Sequence, residues 1–438
     1  MEKPIKVFKF GGASVKDTKA VLNVIKILSQ YNEFPLLVIV SAMGKTTNKL
    51  EEIFECFIQK EQAGFLAKVT ELEEFHYTII DELFDGDSLD GIKSELSNEF
   101  KSIRDFYLKR VEGNTSFLYD QLIPFGEILS TKIVHHGLMN NAIESHWCDA
   151  RLLIRTDNMH QKANVEWPET TKRISEYCSS VFTNKSVIVT QGFIGSDEKD
   201  ITTTLGREGS DFTAGIFAYA LDAEEVIIWK DVPGMLNADP KYFENTVKLD
   251  QISFKEAIEL SYYGASVIHP KTIKPLQNKN IPLYVKSFIN PAEEGTTIHK
   301  ATDNDDAVPS FIFKKNQVLF SIMPKDFSFL IEKNLSDIFS KLAQVNAHIN
   351  IMQNSALSFS FLMDNKTEIV TQVKAALESS YVVKYNTNLE LVTIRHYDQQ
   401  TIDFVTKDKE ILLEQKTRST ARFVIGLKEA GANTFKEV

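Results

Sequence analysis

Short continuous apolar runs alternate with amphipathic stretches along the first 290 residues. Residues 5–10 (IKVFKF) read as a strand closing on Gly11-Gly12, and 36–40 (LLVIV) as a strand buried on both faces. Between them, Val21, Val24, Ile25 and Leu28 recur at helical spacing over Asp17–Gln30, and a second helix is predicted over Asn48–Lys60. The opening order β-loop-α-β-loop-α is that of an α/β domain. Residues 61–142 are mostly helical in pattern, broken by turn-like FDGDSLDG at 84–91. Strand-like runs return at 187–190 (VIVT) and 225–229 (EVIIW), with helices predicted over 211–221 and 254–262.

The pattern changes at 290–310, a polar, acidic, apolar-poor stretch that reads as a connector. Beyond it, 317–323 reads as a strand, and Ile331, Leu335, Ile338, Phe339 and Leu342 mark an amphipathic helix. Strands are predicted at 347–352 and 356–363. In the second, Leu357, Phe359, Phe361 and Met363 alternate with Ser358 and Ser360, as in a sheet with one wet face. A helix at 365–379 and a strand at 380–385 complete βαββαβ, the ferredoxin-like order. Residues 389–427 read strand, helix, strand, a degenerate second unit.

Composition sharpens this outline. The chain has 438 residues, enough for two to four domains, and a net charge of −11, which argues against nucleic acid or an anionic membrane as the main partner. Cys56, Cys148 and Cys178 are far apart and form no CxxC pair, which fits a reducing cytosol. No apolar run is long enough to span a membrane, and the start MEKPIKVFKF is no signal peptide. Sixteen of the 19 glycines lie at or before Gly264, so backbone built to approach a phosphate closely is expected in that part.

Several stretches carry candidate chemistry. Lys9-Phe10-Gly11-Gly12-Ala13-Ser14 closes the first strand, where bare backbone amides and a helix start suit phosphate oxygens and Lys9 suits a transferring phosphoryl group. Ser41–Asn48 (SAMGKTTN) ends like a P-loop but has Ile39 where the first glycine is required, so its hydroxyls suit a polar ligand instead. Thr202–Asp211 opens a helix whose amides and Ser210 can hold an anion. Arg207 there has the planar fork for a carboxylate, and Asp211 has either a ligand role or a first-turn role. Asp231, in WKDVPG, follows a strand, where α/β proteins place ligands. Glu127, in FGEILS, suits a substrate ammonium, although a lone helical glutamate is commonly solvated. His135, His136 and His269 read as structural.

Taken together these stretches resemble the aspartate kinases of the amino-acid kinase family. Seven motifs fall in that family's order: KFGGAS at 9–14, SAMGKTTN at 41–48, FGEILS at 125–130, QGFIGS at 191–196, TTLGREGSDFTA at 203–214, WKDVPGMLNADP at 229–240 and ELSYYGASVIHP at 259–270. The tail is similar to the amino-acid-binding ACT modules that follow such kinases. The resemblance implies an α/β amino-acid kinase fold, a mostly parallel sheet between helix layers, over 1–290, with an N-lobe to about 205 and a C-lobe from 206. A linker at 291–310, an ACT module at 311–396 and a partial second one at 397–438 would follow.

It further implies transfer of the γ-phosphoryl group of ATP, as MgATP, to the β-carboxylate of L-aspartate, heading lysine, threonine and methionine biosynthesis. Lys9 and Asp211 would be catalytic. Ser41, Thr47, Glu127, Phe193, Arg207 and Ser210 would bind aspartate. Lys9, Gly11, Gly12, Gly209, Lys230, Asp231, Leu236, Lys241 and Ser266 would serve the nucleotide, with no residue binding metal directly. A homodimer through the ACT region and a lysine or threonine effector are also implied.

The kinase part of the chain departs from the family at four places. Members commonly have Thr at 230, Tyr at 236, Lys at 266 and Gly at 208, where this chain has Lys230, Leu236, Ser266 and Glu208. Lys230 is expected to supply the charge missing at 266. Ser328 replaces a glycine in the effector loop. The alternatives are a relative acting on glutamate, N-acetylglutamate or a nucleotide, and a non-catalytic ACT-based amino-acid sensor.

Overall fold

The computed structural model describes residues 4–31, 33–182, 187–265, 268–326 and 328–427, so Ser266 lies outside the described residues. They fall into two compact units. The first takes the described residues up to Leu236, Lys248–Tyr262 and those from Ile268 to Asp305. Its elements begin β1 (Lys6–Phe10), α1 (Thr18–Ser29), β2 (Leu36–Val40), α2 (Thr46–Ile58), α3 (Gln62–Leu83), α4 (Gly86–Leu108), α5 (Thr115–Leu122) and α6 (Phe125–Asn140). They continue β3 (Ser145–Cys148), α7 (Ala150–Leu153), α8 (Trp167–Val181), β4 (Val187–Gln191), β5 (Ile194–Ser196), β6 (Thr202–Thr204) and α9 (Gly209–Leu221). Last come β7 (Glu225–Lys230), β8 (Gln251–Ser253), α10 (Phe254–Tyr263), α11 (Pro270–Lys279), β9 (Leu283–Ser287) and β10 (Thr296–His299).

Eight of these strands form one sheet in the order β3-β4-β2-β1-β7-β9-β10-β8, parallel at every neighbouring pair except β9–β10. Residues along a strand point alternately to the two faces. Phe8, Phe10, Ile227 and Trp229 enter a large core with residues of α1, α3, α4 and α6. Lys9 therefore faces the other way, where α9 runs against β1. The α9 helix is apolar almost all round, as suits a helix enclosed between a sheet and other helices, here α8 and α11. Phe10 pairs with both Val40 and Trp229, and Val40 with Gln191, so four central strands end at one level.

Two expectations are corrected here. The turn-like segment 84–91 is mostly helix: α4 starts at Gly86, after Asp85 at the N-cap and with Asp87 in the first turn. The Asp/Ser/Gly residues mark a helix start, not a loop. The connector at 291–310 contains β10, whose Ile298 is fully buried between β8 and β9. Its polar composition hid the four-residue alternation Thr296–His299.

The second unit takes Asn237–Val247, Tyr263–Ala265 and the described residues from Asp306 on. It therefore includes two short stretches that sequence reading gave to the catalytic domain. Its elements are β11 (Ser310–Pro324), α12 (Glu332–Gln344), β12 (Ile351–Asn354), β13 (Phe359–Asp364), α13 (Thr367–Glu378), β14 (Tyr381–Arg395), α14 (Gln399–Thr406), β15 (Lys409–Lys416) and β16 (Thr420–Leu427). They build a wholly antiparallel sheet, β12-β13-β11-β14-β16-β15.

The first four strands of that order, with α12 and α13, reproduce the expected βαββαβ arrangement. The 15-residue strands β11 and β14 run on into a second half with α14, β15 and β16. The first half packs Val318, Phe320, Phe361 and Met363 under its helices. The second packs Val392, Ile394, Phe423 and Ile425 against Ile402 and Val405. The opposite face is not wet throughout: Leu319, Ile351, Leu362, Leu391 and Val424 form a cluster there. Leu357 lies outside β13 and is 44% exposed, whereas the sequence pattern put it on the buried face.

Candidate active site

In the first unit a cavity of about 680 Å³ opens beyond the carboxyl ends of β1, β2, β4 and β7. This is where open parallel sheets place ligands. Its walls include Lys9, Ser41, Thr47, Glu127, Phe193, Arg207, Gly209, Ser210, Asp211 and Lys230. All six residues expected to bind aspartate are among them.

Lys9 and Asp211 form the innermost pair. The Lys9 Nζ lies 2.6 Å from Asp211 Oδ1, and Lys230 Nζ lies 3.3 Å from Oδ2. Asp211 is 3% exposed, and its first-turn position on α9 is used for this pairing, not for capping. Burial pushes its carboxyl pKa up, but the Lys9 and Lys230 ammoniums outweigh that and hold it below the ordinary carboxylate range.

Glu127 lines the same cavity from the first turn of α6, where the helix dipole favours a carboxylate. It is buried, not solvated as a lone helical glutamate commonly is. The Ala42 amide donates to Oε1 at 3.4 Å, while Oε2 is buried without a hydrogen-bond partner. Desolvation raises the Glu127 pKa to about 8, against weaker lowering by backbone amides and Lys9. A buried carboxylate oxygen with no donor is a receptor for a cationic group. Arg207, exposed on the wall, adds a guanidinium fork. Among the described residues the cavity's lining thus holds three cations (Lys9, Arg207, Lys230) for anionic groups, with Glu127 as a receptor for an ammonium and Glu51 and Glu208 as further carboxylates.

Close backbone approach shapes the rim. A β-carbon on Gly12 would lie 2.7 Å from the Ala42 carbonyl oxygen, and one on Gly192 would lie 2.4 Å from Ser210 Cβ. Only glycine lets the loops after β1 and β2 meet there, and the loop after β4 meet the start of α9. Gly11 lies beside the Lys9 ammonium. Phe193 and Glu208 adopt φ of 73° and 53°, a conformation that costs a side-chain residue about 1 kcal/mol or more. The Phe193 amide donates to Thr213 Oγ1 at 3.0 Å, which ties this strained residue to α9.

Sequence reasoning missed Asp120, Glu51 and Tyr119. Asp120 is fully buried and accepts from Thr204 N and Gln161 N at 3.0 Å, Thr204 Oγ1 at 2.7 Å and, with the ring so protonated, His160 Nδ1 at 3.0 Å. It fixes the end of β6, from which the Gly206–Arg207 loop departs. Glu51 lines the cavity one helical turn beyond Thr47 and accepts from the Tyr119 hydroxyl at 2.9 Å; that spacing was the available signal. Burial and Glu51 both raise the Tyr119 pKa.

Other expected site residues are placed elsewhere. Asp231, exposed just past β7, and Leu236 are not among the cavity's lining residues, and Lys241 belongs to the second unit. His135 bonds Ser145 Oγ, His136 bonds Glu95, and His269 caps α11 by accepting from Lys271 N. The three cysteines are free and buried, and no helix among the described residues is long and apolar enough to cross a membrane.

A mostly parallel sheet with a glycine loop at the end of its first strand, a buried Lys–Asp pair and further basic side chains in the same cavity fits a phosphotransferase of the amino-acid kinase type. The profile described as "Amino acid kinase family" matches residues 4–287. The lysine-sensitive aspartokinase 3 of Escherichia coli (strain K12) is 30% identical over 365 residues, 82% of this chain and 78% of that protein. The chain belongs to the amino acid kinase family and, within it, to the aspartokinases.

The chloroplastic bifunctional aspartokinase/homoserine dehydrogenase 2 of Arabidopsis thaliana is 29% identical over 384 residues. That match takes in 86% of this chain, which spans only about two-fifths of the plant protein, 42%. The crystal structure of E. coli aspartokinase III in complex with aspartate and ADP superposes with a TM-score of 0.81 at 27% identity, covering 96% of each chain.

Proposed function

We propose that the protein is an aspartate kinase, transferring the γ-phosphoryl group of ATP to the β-carboxylate of L-aspartate to give 4-phospho-L-aspartate. This is the first step toward lysine, threonine and methionine. The observation that carries the reading is the charge layout of one cavity: the unpartnered Glu127 oxygen, the Arg207 fork and the Lys9–Asp211 pair. A dicarboxylic α-amino acid has the complementary groups. Its ammonium answers Glu127, its α-carboxylate answers Arg207, and its β-carboxylate is directed at Lys9. Ser41, Thr47, Ser210 and the Phe193 backbone complete the pocket. The aspartate- and ADP-bound relative supports both ligands.

The chemistry asks for positioning and charge, not proton transfer. A carboxylate is already a nucleophile, so no general base is needed. Charge on the transferring group spreads over its equatorial oxygens, where Lys9 and the amides near Gly11, Gly12 and Gly209 stabilise it. Asp211 holds the Lys9 ammonium in place. Magnesium fits as a passenger on the nucleotide phosphates, since both oxygens of Asp211 are engaged by lysines; when bound it neutralises phosphate charge. Asp231, Leu236, Lys241 and Ser266 are assigned to the nucleotide side by resemblance.

Acyl-phosphate trapping as the hydroxamate tests the reading. We expect product with aspartate and ATP, none with glutamate, N-acetylglutamate or a nucleoside monophosphate, and none with Lys9→Ala. Hydroxamate from another acceptor, or none at all, overturns it. The antiparallel unit is read as the regulatory part, joining two chains and taking lysine or threonine as effector in a cytoplasmic enzyme; the lysine-sensitive relative supports an effector of this kind.

A further inference from the structure

We propose that Lys230 is a second cation on the transferring phosphoryl group, clamped to Lys9 through Asp211. The inference rests on the aspartate-kinase reading and concerns the same cavity. Lys9 pairs in register with Ile228, so Lys230, two residues on, projects from the same sheet face at the next level out. Both ammoniums line the cavity. One carboxylate holds them, Lys9 at 2.6 Å from Oδ1 and Lys230 at 3.3 Å from Oδ2. Two lysine ammoniums thus share one buried carboxylate at the cavity wall.

This placement separates Lys230 from the residues that follow it. Asp231 and Leu236 do not line the cavity, whereas Lys230 shares it with Glu127 and Arg207. A cation there meets the group that passes between the two substrates, not the nucleoside. The step is an in-line displacement. An oxygen of the β-carboxylate forms a bond to Pγ while the bond from Pγ to the β–γ bridging oxygen breaks. The electron pair leaves on ADP, and no proton moves. The equatorial oxygens, two of which the spaced ammoniums can meet together, carry charge throughout.

The test uses the full chain and the variants Lys230→Met, Lys230→Thr and Lys230→Arg, each checked for folding by thermal melting. Steady-state hydroxamate kinetics give kcat and both KM values. Calorimetry gives affinities for ADP and for a non-transferable ATP analogue. Loss of one preorganised charge predicts a kcat lower on the order of 100-fold for the Met and Thr variants, with partial recovery in Lys230→Arg. The KM for aspartate and the ADP affinity should stay within about threefold, while the analogue should lose about tenfold or more, a loss of 1.4 kcal/mol per tenfold.

An unchanged kcat, or an equal loss for ADP and the analogue, overturns the proposal. If the wild-type chain makes no acyl phosphate from aspartate, the functional reading fails instead. The ADP-against-analogue comparison then still decides what Lys230 touches.

Discussion

Glu127 is the point where the site's energetics can be measured most directly. Its buried carboxyl has a pKa of about 8 because the exclusion of water outweighs the lowering by backbone amides and Lys9. An ammonium binds the ionised form, so substrate binding must first remove a proton. At pH 7 about one molecule in ten has Glu127 ionised, and at pH 6 about one in a hundred. The KM for aspartate at saturating MgATP should therefore fall about tenfold from pH 6 to 7, about fivefold more by pH 8, and level off above. Free aspartate keeps its three charges through that window, so the slope belongs to the protein.

The same shift sets a stability trend. The folded pKa lies above the ordinary value of 4.5, so folding takes up a proton between pH 4.5 and about 8. The stability this group contributes is complete below pH 4.5 and lost as pH rises to about 8, on the order of 5 kcal/mol at most. Glu127→Gln should abolish the slope in KM, weaken aspartate binding at pH 8 by about 10- to 100-fold, and melt higher than the wild type at pH 8. Initial rates across pH with parallel melts provide the check. A flat KM between pH 6 and 8, or an unchanged KM in Glu127→Gln, would refute the assignment.

Three further outcomes are expected. Asp120→Ala strands four donors and should cost about 3 kcal/mol by chemical denaturation while raising the KM for aspartate through Arg207; Asp120→Asn should recover part of both. Glu208→Gly relieves a left-handed residue and removes a negative charge from an anion-binding helix start, so stability should hold or rise by up to about 1 kcal/mol and the ATP KM should fall. Titrating activity with lysine and threonine separately should show inhibition by one of them, and an enzyme indifferent to both would limit the antiparallel unit to assembly.

Much of the site was legible because its residues lie in short motifs at strand ends, where register alone brings them together. Lys9 and Lys230 lie at the ends of strands, and Ser41 and Phe193 just after them, all ending at one level, so finding the strands nearly found the cavity. The α/β opening and the βαββαβ tail were legible for a similar reason: their apolar spacing is regular. Asp120 was not legible, because a buried carboxylate in a short helix looks like a solvated one until its donors, 40 to 84 residues away, are placed. The state of Glu127 was hidden likewise, since desolvation depends on neighbours. Strand β10 was hidden by the polar composition around it. That Asp211 holds two lysines also follows from tertiary placement, which no local pattern encodes.

The two long strands of the antiparallel sheet have a mechanical consequence. Each of β11 and β14 passes through both halves, and the Leu319–Leu391–Val424 cluster ties the halves together on the face away from their helices. Neither half can be excised as an autonomous module, because any cut removes a strand from both. At about 3.4 Å per residue, each strand would reach roughly 50 Å, with shifts in their mutual register between Lys314 and Leu319. A displacement at one end is carried along strands that are paired on both sides of that irregularity. Melting of this unit should accordingly be a single event, and a small molecule that stiffens one half should protect the amides of the other.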